Sequence, residues 1–384
     1  MRRGVEPAGE TMKLGLFMMP LHTMKLGYKE MYDQDQEAAL HAARLGYDEF
    51  WLGEHTSAKV EPISNSLQFM SALIPQTRNL VFGTGVINLP NHHPAQVAAD
   101  VALFDHMSNG RYLMGIGPGG LATDFELFGS AGKNRAEMMI ESMAMIEAIW
   151  SSDPPYDIAG KYWTIRVRDS VQLDLGIGPM PKPYQNPFPQ VFTSAMNPNS
   201  GMASIAGERS WGLISANFNA PWVLGTHWST YTASAVKAGR KPDRSLWRVA
   251  RTILVADSDA EAAAYLAADG NSILDYYAYM FTQFERTNNM RVFMATPDVA
   301  LPDVTLAAAI DAMVIAGGPK TVADRLVALV DEIGPFGGLL MAFHEWDRKP
   351  LWQRSMQLLI ESVMPAVGAY AASRPVVEIA DPSP

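Results

Sequence analysis

Cysteine is absent from the 384 residues. That excludes disulfides, thiolate zinc sites and cysteine nucleophiles at once, and it fits a reducing cytoplasm, the expected location. A basic excess is also missing: 30 Lys and Arg against 40 Asp and Glu leave a net charge of −10. Affinity for phosphate backbones comes from clustered cations, so no nucleic-acid partner is expected. Charge of either sign is sparse, 18% against 48% apolar residues, which points to a large buried core and away from extensive disorder. The longest charge-free stretch, between Arg209 and Lys237, is interrupted by Asn217, Asn219, Pro221 and His227. A spanning helix needs about 20 predominantly apolar residues, so no membrane association is expected. Residues 4–10 are polar and hold two acids, with no apolar core for a signal peptide. Residues 1–11 are expected to be a loose extension, with Met12 a candidate start, and 369–384 a tail.

What the sequence does have is a rhythm. Short apolar runs read as buried strands at residues 14–20 (LGLFMMP), 49–55 (EFWLGEH), 80–87 (LVFGTGVI) and 111–117 (RYLMGIG). The series continues at 190–195, 212–217, 248–256 and 338–343 (GLLMAF). Helical stretches stand between them, at 33–45 with Gly46 as its cap, 67–75, 94–108 with Pro94 in its first turn, and 134–150. Asn134 and Glu137 have capping-box spacing, as do Ser258 and Glu261. Further helices are expected around 200–208, 319–333 and 351–363. Near-continuous apolar strands alternating with helices mean a parallel sheet covered on its outer face. Eight such units predict an α/β fold, a single (β/α)₈ TIM barrel over residues 12–368. Residues 153–189 and 270–310 break the rhythm and are expected to be insertions that shape a substrate pocket.

In such a barrel the chemistry lies at the C-terminal strand ends. Those ends carry His22, then Glu54 and His55, then Gly85 and Val86, then Gly117 and Pro118. Ser194, Asn217, His344 and Glu345 follow at the later strands. No HxH or HExxH pair occurs, so no metal is expected; a metal-hydrolase barrel through His22, His55 and His344 would lack its usual first-strand HxH. The run GIGPGG at 115–120 spells GxGxxG, but LATDFELFG stands between it and the next long helix, where a dinucleotide fingerprint needs a helix opening at the glycines. It reads instead as a close-approach surface. At 197–202 (NPNSGM) the chain enters a helix with Ser200 and Gly201 in its first turn. Free N–H groups there form either a phosphate cradle or an ordinary polar cap.

Taken together, these segments resemble the bacterial luciferase-like flavin monooxygenases. The strongest match is the unbroken stretch at 83–129, with its HP…DHMS-x-GR…GIG…DF…FG skeleton. EFWLGEH is similar to the second-strand motif, and GGPKTVADRL with GGLLMAFHEWD to the closing segment. NHHP, AGER and the HEW ending are closer to limonene-monooxygenase-like and diketocamphane-monooxygenase-like members than to luciferase itself. The resemblance covers roughly residues 13–366.

The resemblance implies a (β/α)₈ barrel that takes reduced FMN from a separate NAD(P)H:flavin reductase. It implies oxygenation of a small apolar substrate, terpene-like or a ketone, through a C(4a)-peroxyflavin. His55 falls on the family's catalytic histidine, with Glu54 beside it as a candidate acid or ion-pair partner. Gly85 and Val86 match the pair that backs the isoalloxazine through a cis peptide. Asn199, Ser200, Gly201 and Met202 match the phosphate loop, with Ser194 near it. Met18, Trp51, Phe218 and Trp346 are candidates to line the substrate pocket or to be plain core. Departures are visible: Pro118 replaces an arginine that binds phosphate in luciferase, Gly117 a reactive cysteine, and Thr56 a second histidine. A homodimer is expected by resemblance alone. Two other readings on the same fold are a deazaflavin-dependent oxidoreductase and a non-catalytic flavin-binding protein.

Overall fold

Every apolar run that reads as a strand pairs in one sheet of the computed structural model, which describes residues 12–374. We number the barrel strands β1 (Lys13–Met18), β2 (Glu49–Leu52), β3 (Val81–Thr84), β4 (Tyr112–Gly117), β5 (Val191–Ala195), β6 (Gly212–Ser215), β7 (Trp247–Val255) and β8 (Gly338–Phe343). Their order is β7-β8-β1-β2-β3-β4-β5-β6, and β6 pairs again with β7, so the sheet closes. The result is an eight-stranded parallel barrel with surrounding helices, the expected fold class. Burial explains the lack of alternation: β2, β6, β7 and β8 are buried at every position.

Glycine sets how closely neighbouring layers approach. Trp51 on β2 stands opposite Gly83 on β3, and a Cβ at Gly83 would lie 2.3 Å from its indole. A Cβ at Gly115 would meet the Thr84 carbonyl at 1.7 Å. These glycines are therefore packing requirements.

The helix ends follow their capping residues. Asn134 accepts from the Glu137 N–H, and Ser258 from the Glu261 N–H. Gly46 closes the helix Tyr28–Leu45 at φ 90°, and Pro319–Ile333 spans its expected range. The helix Met364–Ser373 runs through the beginning of the expected tail. Residues 1–11 and the rest of that tail lie outside the described residues. No described helix is long and apolar enough to cross a membrane.

Contacts group the chain into two compact units, one of residues 16–194 with 343–345, the other of 195–342 with the remaining described residues. In the first unit the segment 153–189 forms an antiparallel hairpin, Tyr156–Ala159 with Thr164–Val167. Glu141 of the helix Arg135–Ser151 accepts from the N–H groups of Lys161, Tyr162 and Trp163. Gln185 reaches Asp105 and the Tyr112 carbonyl, at the start of β4. Its other end goes the opposite way: Lys161 and Tyr162 donate to Glu137 in the first turn of that helix, and Trp163 meets His93, the N-cap of the helix Pro94–Met107, edge-on at 5.6 Å. The insertion thus runs from the start of β4 to the helix starts that follow the C-terminal strand ends.

In the second unit the segment after β7 is largely helical, with Ser272–Arg286 and Leu306–Met313, followed by a short strand Val314–Gly317. That strand pairs with the C-terminal half of β7, Thr252 opposite Val314. Tyr276 and Tyr277 donate to the side chain and backbone of Asn217, just past β6. The 270–310 segment thus covers a C-terminal strand end. The 17-residue helix Pro221–Lys237 has no counterpart in the sequence reading. Its turns carry Gly, Ser and Thr among the apolar residues, which blurs the 3.6-residue stripe.

Candidate active site

The chain leaves β2 through Gly53, Glu54 and His55, and each turns to a different neighbour. Gly53 lies against the Gly85 carbonyl, 3.1 Å from where its own Cβ would be, and the Gly85 N–H donates to the Leu52 carbonyl at 2.7 Å. The peptide between Gly85 and Val86 is cis. A Cβ on Gly85 would lie 2.5 Å from the Phe17 ring, and one on Gly117 would lie 2.4 Å from a Val86 methyl. Gly117 is therefore needed here to admit Val86.

His55 is half-buried between two carboxylates. Its Nδ1 is 3.4 Å from Asp124 and its Nε2 3.5 Å from Glu61. Burial works to lower its pKa, but Glu61, Asp124 and Glu54 together raise it above the ordinary imidazole value. Asp124 sits on the short helix Ala122–Leu127 and also accepts from the N–H groups of Thr56 and Ser57 and from the Ser57 hydroxyl. Burial alone would raise its pKa; the hydrogen bonds from His55, Ser57 and Thr56 hold it down to about 2. The carboxylates thus favour the protonated ring of His55, while Asp124 stays ionised and fixes its orientation.

Glu54 is buried and committed elsewhere. It accepts from the Asn88 N–H at 3.0 Å, from Ser66 at 3.3 Å and from His92 Nε2 at 2.7 Å. The His92 contact is that of an ion pair whenever that ring is protonated. Next to this group, His22 is enclosed between Asp35 (3.1 Å) and Glu345 (3.7 Å). Burial opposes its charge, but the two carboxylates raise its pKa to about 9, and burial raises that of Asp35. The pair therefore retains a proton through the neutral range. The His22 N–H donates to the Val60 carbonyl, one residue before Glu61.

The second unit carries the expected phosphate loop. Asn199 adopts φ 53° and its N–H donates to Thr226 Oγ1, so that group is already used. The Ser200 hydroxyl caps the helix Gly201–Arg209 by accepting from the Met202 N–H. No atom lies within 4 Å of where a Gly201 Cβ would stand, so the helix end is uncovered there. The loop is braced from behind by a chain of hydrogen bonds. The Trp247 indole donates to Ser215, the Ser215 hydroxyl donates to His227 Nδ1, and His227 Nε2 is 2.9 Å from the Asn197 carbonyl. Burial lowers the pKa of His227 to about 4 despite the Asn197 contact, so the ring is neutral and donates through Nε2. Ser194 is half-buried at the end of β5.

Of the expected pocket residues, Trp51 is core: it lies on Gly83, meets Phe192 edge-on at 5.1 Å and donates to Glu49. Met18 is fully buried in β1. Phe218 joins Phe284 and Phe293 in an aromatic cluster, and Trp346 is the most accessible of the four at 9%. Among the described residues no three His, Asp or Glu side chains are placed to hold a metal, so His22, His55 and His344 do not form such a centre. Sequence reasoning passed over Asp124, Glu61 and His227. Asp124 stood in plain view in the DF pair of the matched stretch; the other two carried no local signal.

The profile of the luciferase-like monooxygenases matches residues 12–335, most of the chain. The chain belongs to that family. Among luciferase-like relatives, 3,6-diketocamphane 1,6-monooxygenase of Pseudomonas putida is 27% identical, over 93% of this chain and 98% of its own. Limonene 1,2-monooxygenase of Rhodococcus erythropolis is 29% identical, over 91% of this chain and 85% of its own. Among solved structures, the oxygenating constituent of the P. putida 3,6-diketocamphane monooxygenase, a type II Baeyer–Villiger monooxygenase in complex with FMN, superposes with a TM-score of 0.83. It is 27% identical and covers 92% of this chain and 98% of its own. The resemblance to limonene- and diketocamphane-type members is thereby borne out.

Proposed function

We propose that the chain is the oxygenase component of a two-component system, using reduced FMN and dioxygen to oxygenate a small apolar substrate of terpene or cyclic-ketone type. The observation that carries this reading is His55, held between Asp124 and Glu61 immediately beyond the Gly53–Gly85 contact. Support comes from relatives of almost the same length that are named as monooxygenases of terpenoid substrates, one of them in complex with FMN.

The residues fit a phosphate-bearing flavin. An uncovered helix N-terminus with a glycine first and a serine cap is a suitable donor set for a phosphate monoester, and it needs no arginine. Ser200, Gly201 and Met202 would hold the phosphate, with Ser194 nearby in sequence; Gly85 and Val86 would back the ring. Reduced FMN, when bound, supplies the electrons that activate dioxygen. His55 would then act from its imidazole nitrogens as proton donor or hydrogen-bond donor, and Asp124 would keep its ring oriented. Glu54 would hold His92 and the Asn88 backbone in place. A separate NAD(P)H:flavin reductase would supply the reduced flavin, and a homodimer would be the working assembly.

The test is turnover with an added reductase, NADH, FMN and ¹⁸O₂ across a panel of cyclic ketones and terpenes. The expected result is a product carrying one labelled oxygen. Oxygen consumption without labelled product across the panel would sink the reading. Turnover with reduced deazaflavin and no oxygen uptake would replace it by the oxidoreductase alternative.

A further inference from the structure

Arg251 on β7 is almost completely buried, at 1% exposure. Its Nη1 donates to the Asn219 carbonyl, while Nη2 has no partner among the described residues. Trp247, on the same side of β7, stacks on Trp228 of the helix Pro221–Lys237 at 5.1 Å, so this side faces the helix layer. Thr252 on the opposite side meets Asn217 and Tyr277 instead. Arg251 therefore lies outside the group of residues at the strand ends.

A cavity of about 160 Å³ adjoins it, lined by Pro221, Arg251, Ala312, Ile315, Arg325 and Glu332 among others. Arg325 is half-buried and donates to the Asp311 backbone carbonyl, and among the described residues no carboxylate pairs with it. Two arginines and one exposed glutamate, Glu332, thus share the lining, which carries a net positive charge. Glu332 favours and Arg325 opposes the charge on Arg251. Burial lowers the pKa of Arg251 to about 10, which leaves it cationic at neutral pH. An unpaired donor on a buried cation is costly, and an anion in hydrogen-bond reach offsets that cost.

We propose that this cavity binds a small oxyanion, a carboxylate or phosphate group, through the free Nη2 of Arg251 with Arg325 at its rim. The proposal does not depend on the flavin reading. Its test is isothermal titration of the full chain with sodium acetate and with sodium phosphate, at ionic strength held constant with chloride. Saturable binding is expected. Arg325→Ala should weaken it roughly two- to fivefold, and Glu332→Gln should tighten it by a similar factor, because each removes one partly exposed charge. Arg251→Met should abolish it. Should that variant fail to fold, the two surface variants still decide the matter, since their effects are opposite in sign. Binding of acetate alone assigns a carboxylate ligand, and of phosphate alone a phosphate ligand, provided the two variants shift it as stated. No saturable binding, or binding unchanged in both surface variants, would overturn the proposal and leave a hydrated crevice.

Discussion

At the scale of single residues, the candidate site distinguishes a group free to exchange a proton from groups already fully engaged. His55 has carboxylates near both ring nitrogens, at 3.4 and 3.5 Å, and keeps partial access to solvent. Replacing it by Gln should lower kcat by about 10²–10⁴-fold if it serves as the proton donor, with melting temperature little changed. Steady-state kinetics on the labelled product checks this. Asp124→Asn should act through His55: removal of the ionised partner lowers the imidazole pKa, and the alkaline limb of the activity profile, where the proton donor is lost, moves to lower pH. An unchanged His55 titration by NMR would refute that coupling. Glu54→Gln should behave differently. The amide keeps one acceptor for the three donors from Asn88, Ser66 and His92, so about 1–3 kcal/mol of stability is lost. Activity per folded molecule should hold. A loss of kcat larger than tenfold without loss of stability would return Glu54 to the catalytic group.

At the scale of elements, two glycines in the helix Gly201–Arg209 make opposite predictions. A Cβ at Gly207 would lie 2.2 Å from the Tyr231 carbonyl of the neighbouring helix, so Gly207→Ala should cost about 1–3 kcal/mol in a denaturation experiment. Gly201 faces open space, so Gly201→Ala should leave stability within about 0.5 kcal/mol while weakening reduced FMN in an anaerobic titration. Unaltered flavin affinity would remove the helix end from the phosphate site. The same helix shows what was legible in advance. Serine before glycine before an alanine-rich run announces a helix start, and the cap forms as expected. All eight barrel strands were visible because a strand buried on both faces needs an unbroken apolar run. The partners that give these elements their function were not. Asp124 meets His55 across 69 positions, and His227 reaches Asn197 from the one long helix whose polar turns hid it. Periodicity reports which face is buried, not which side chain closes a hydrogen-bond chain. For the 153–189 insertion, composition reveals a break in rhythm, but not that its hairpin tip returns to Glu137 and His93.

For the molecule as a whole, two buried histidines shape the dependence of stability on pH. His227 is neutral in the fold with a pKa of about 4, against an ordinary value of 6.5. The unfolded chain binds more protons in that interval, so the contribution of His227 is complete above about pH 6.5 and is lost as pH falls toward 4. His22 has the opposite sign. With a folded pKa of about 9, its contribution is complete below about pH 6.5 and is lost as pH rises to 9. Each shift corresponds to something on the order of 3 kcal/mol. One histidine braces the loop before Ser200, and the other ties the segment after β1 to Asp35 of the helix Tyr28–Leu45 and to Glu345 just past β8. The stability curve should therefore have its maximum near pH 6–7 and fall on both sides. Urea denaturation across pH 4.5–9.5 reads this directly. His227→Gln should flatten the acidic side alone and His22→Gln the alkaline side alone, because the two rings share no partner. A wild-type curve still rising at pH 9 would show that His22 is neutral in the folded protein and that its two carboxylates do not hold a proton between them.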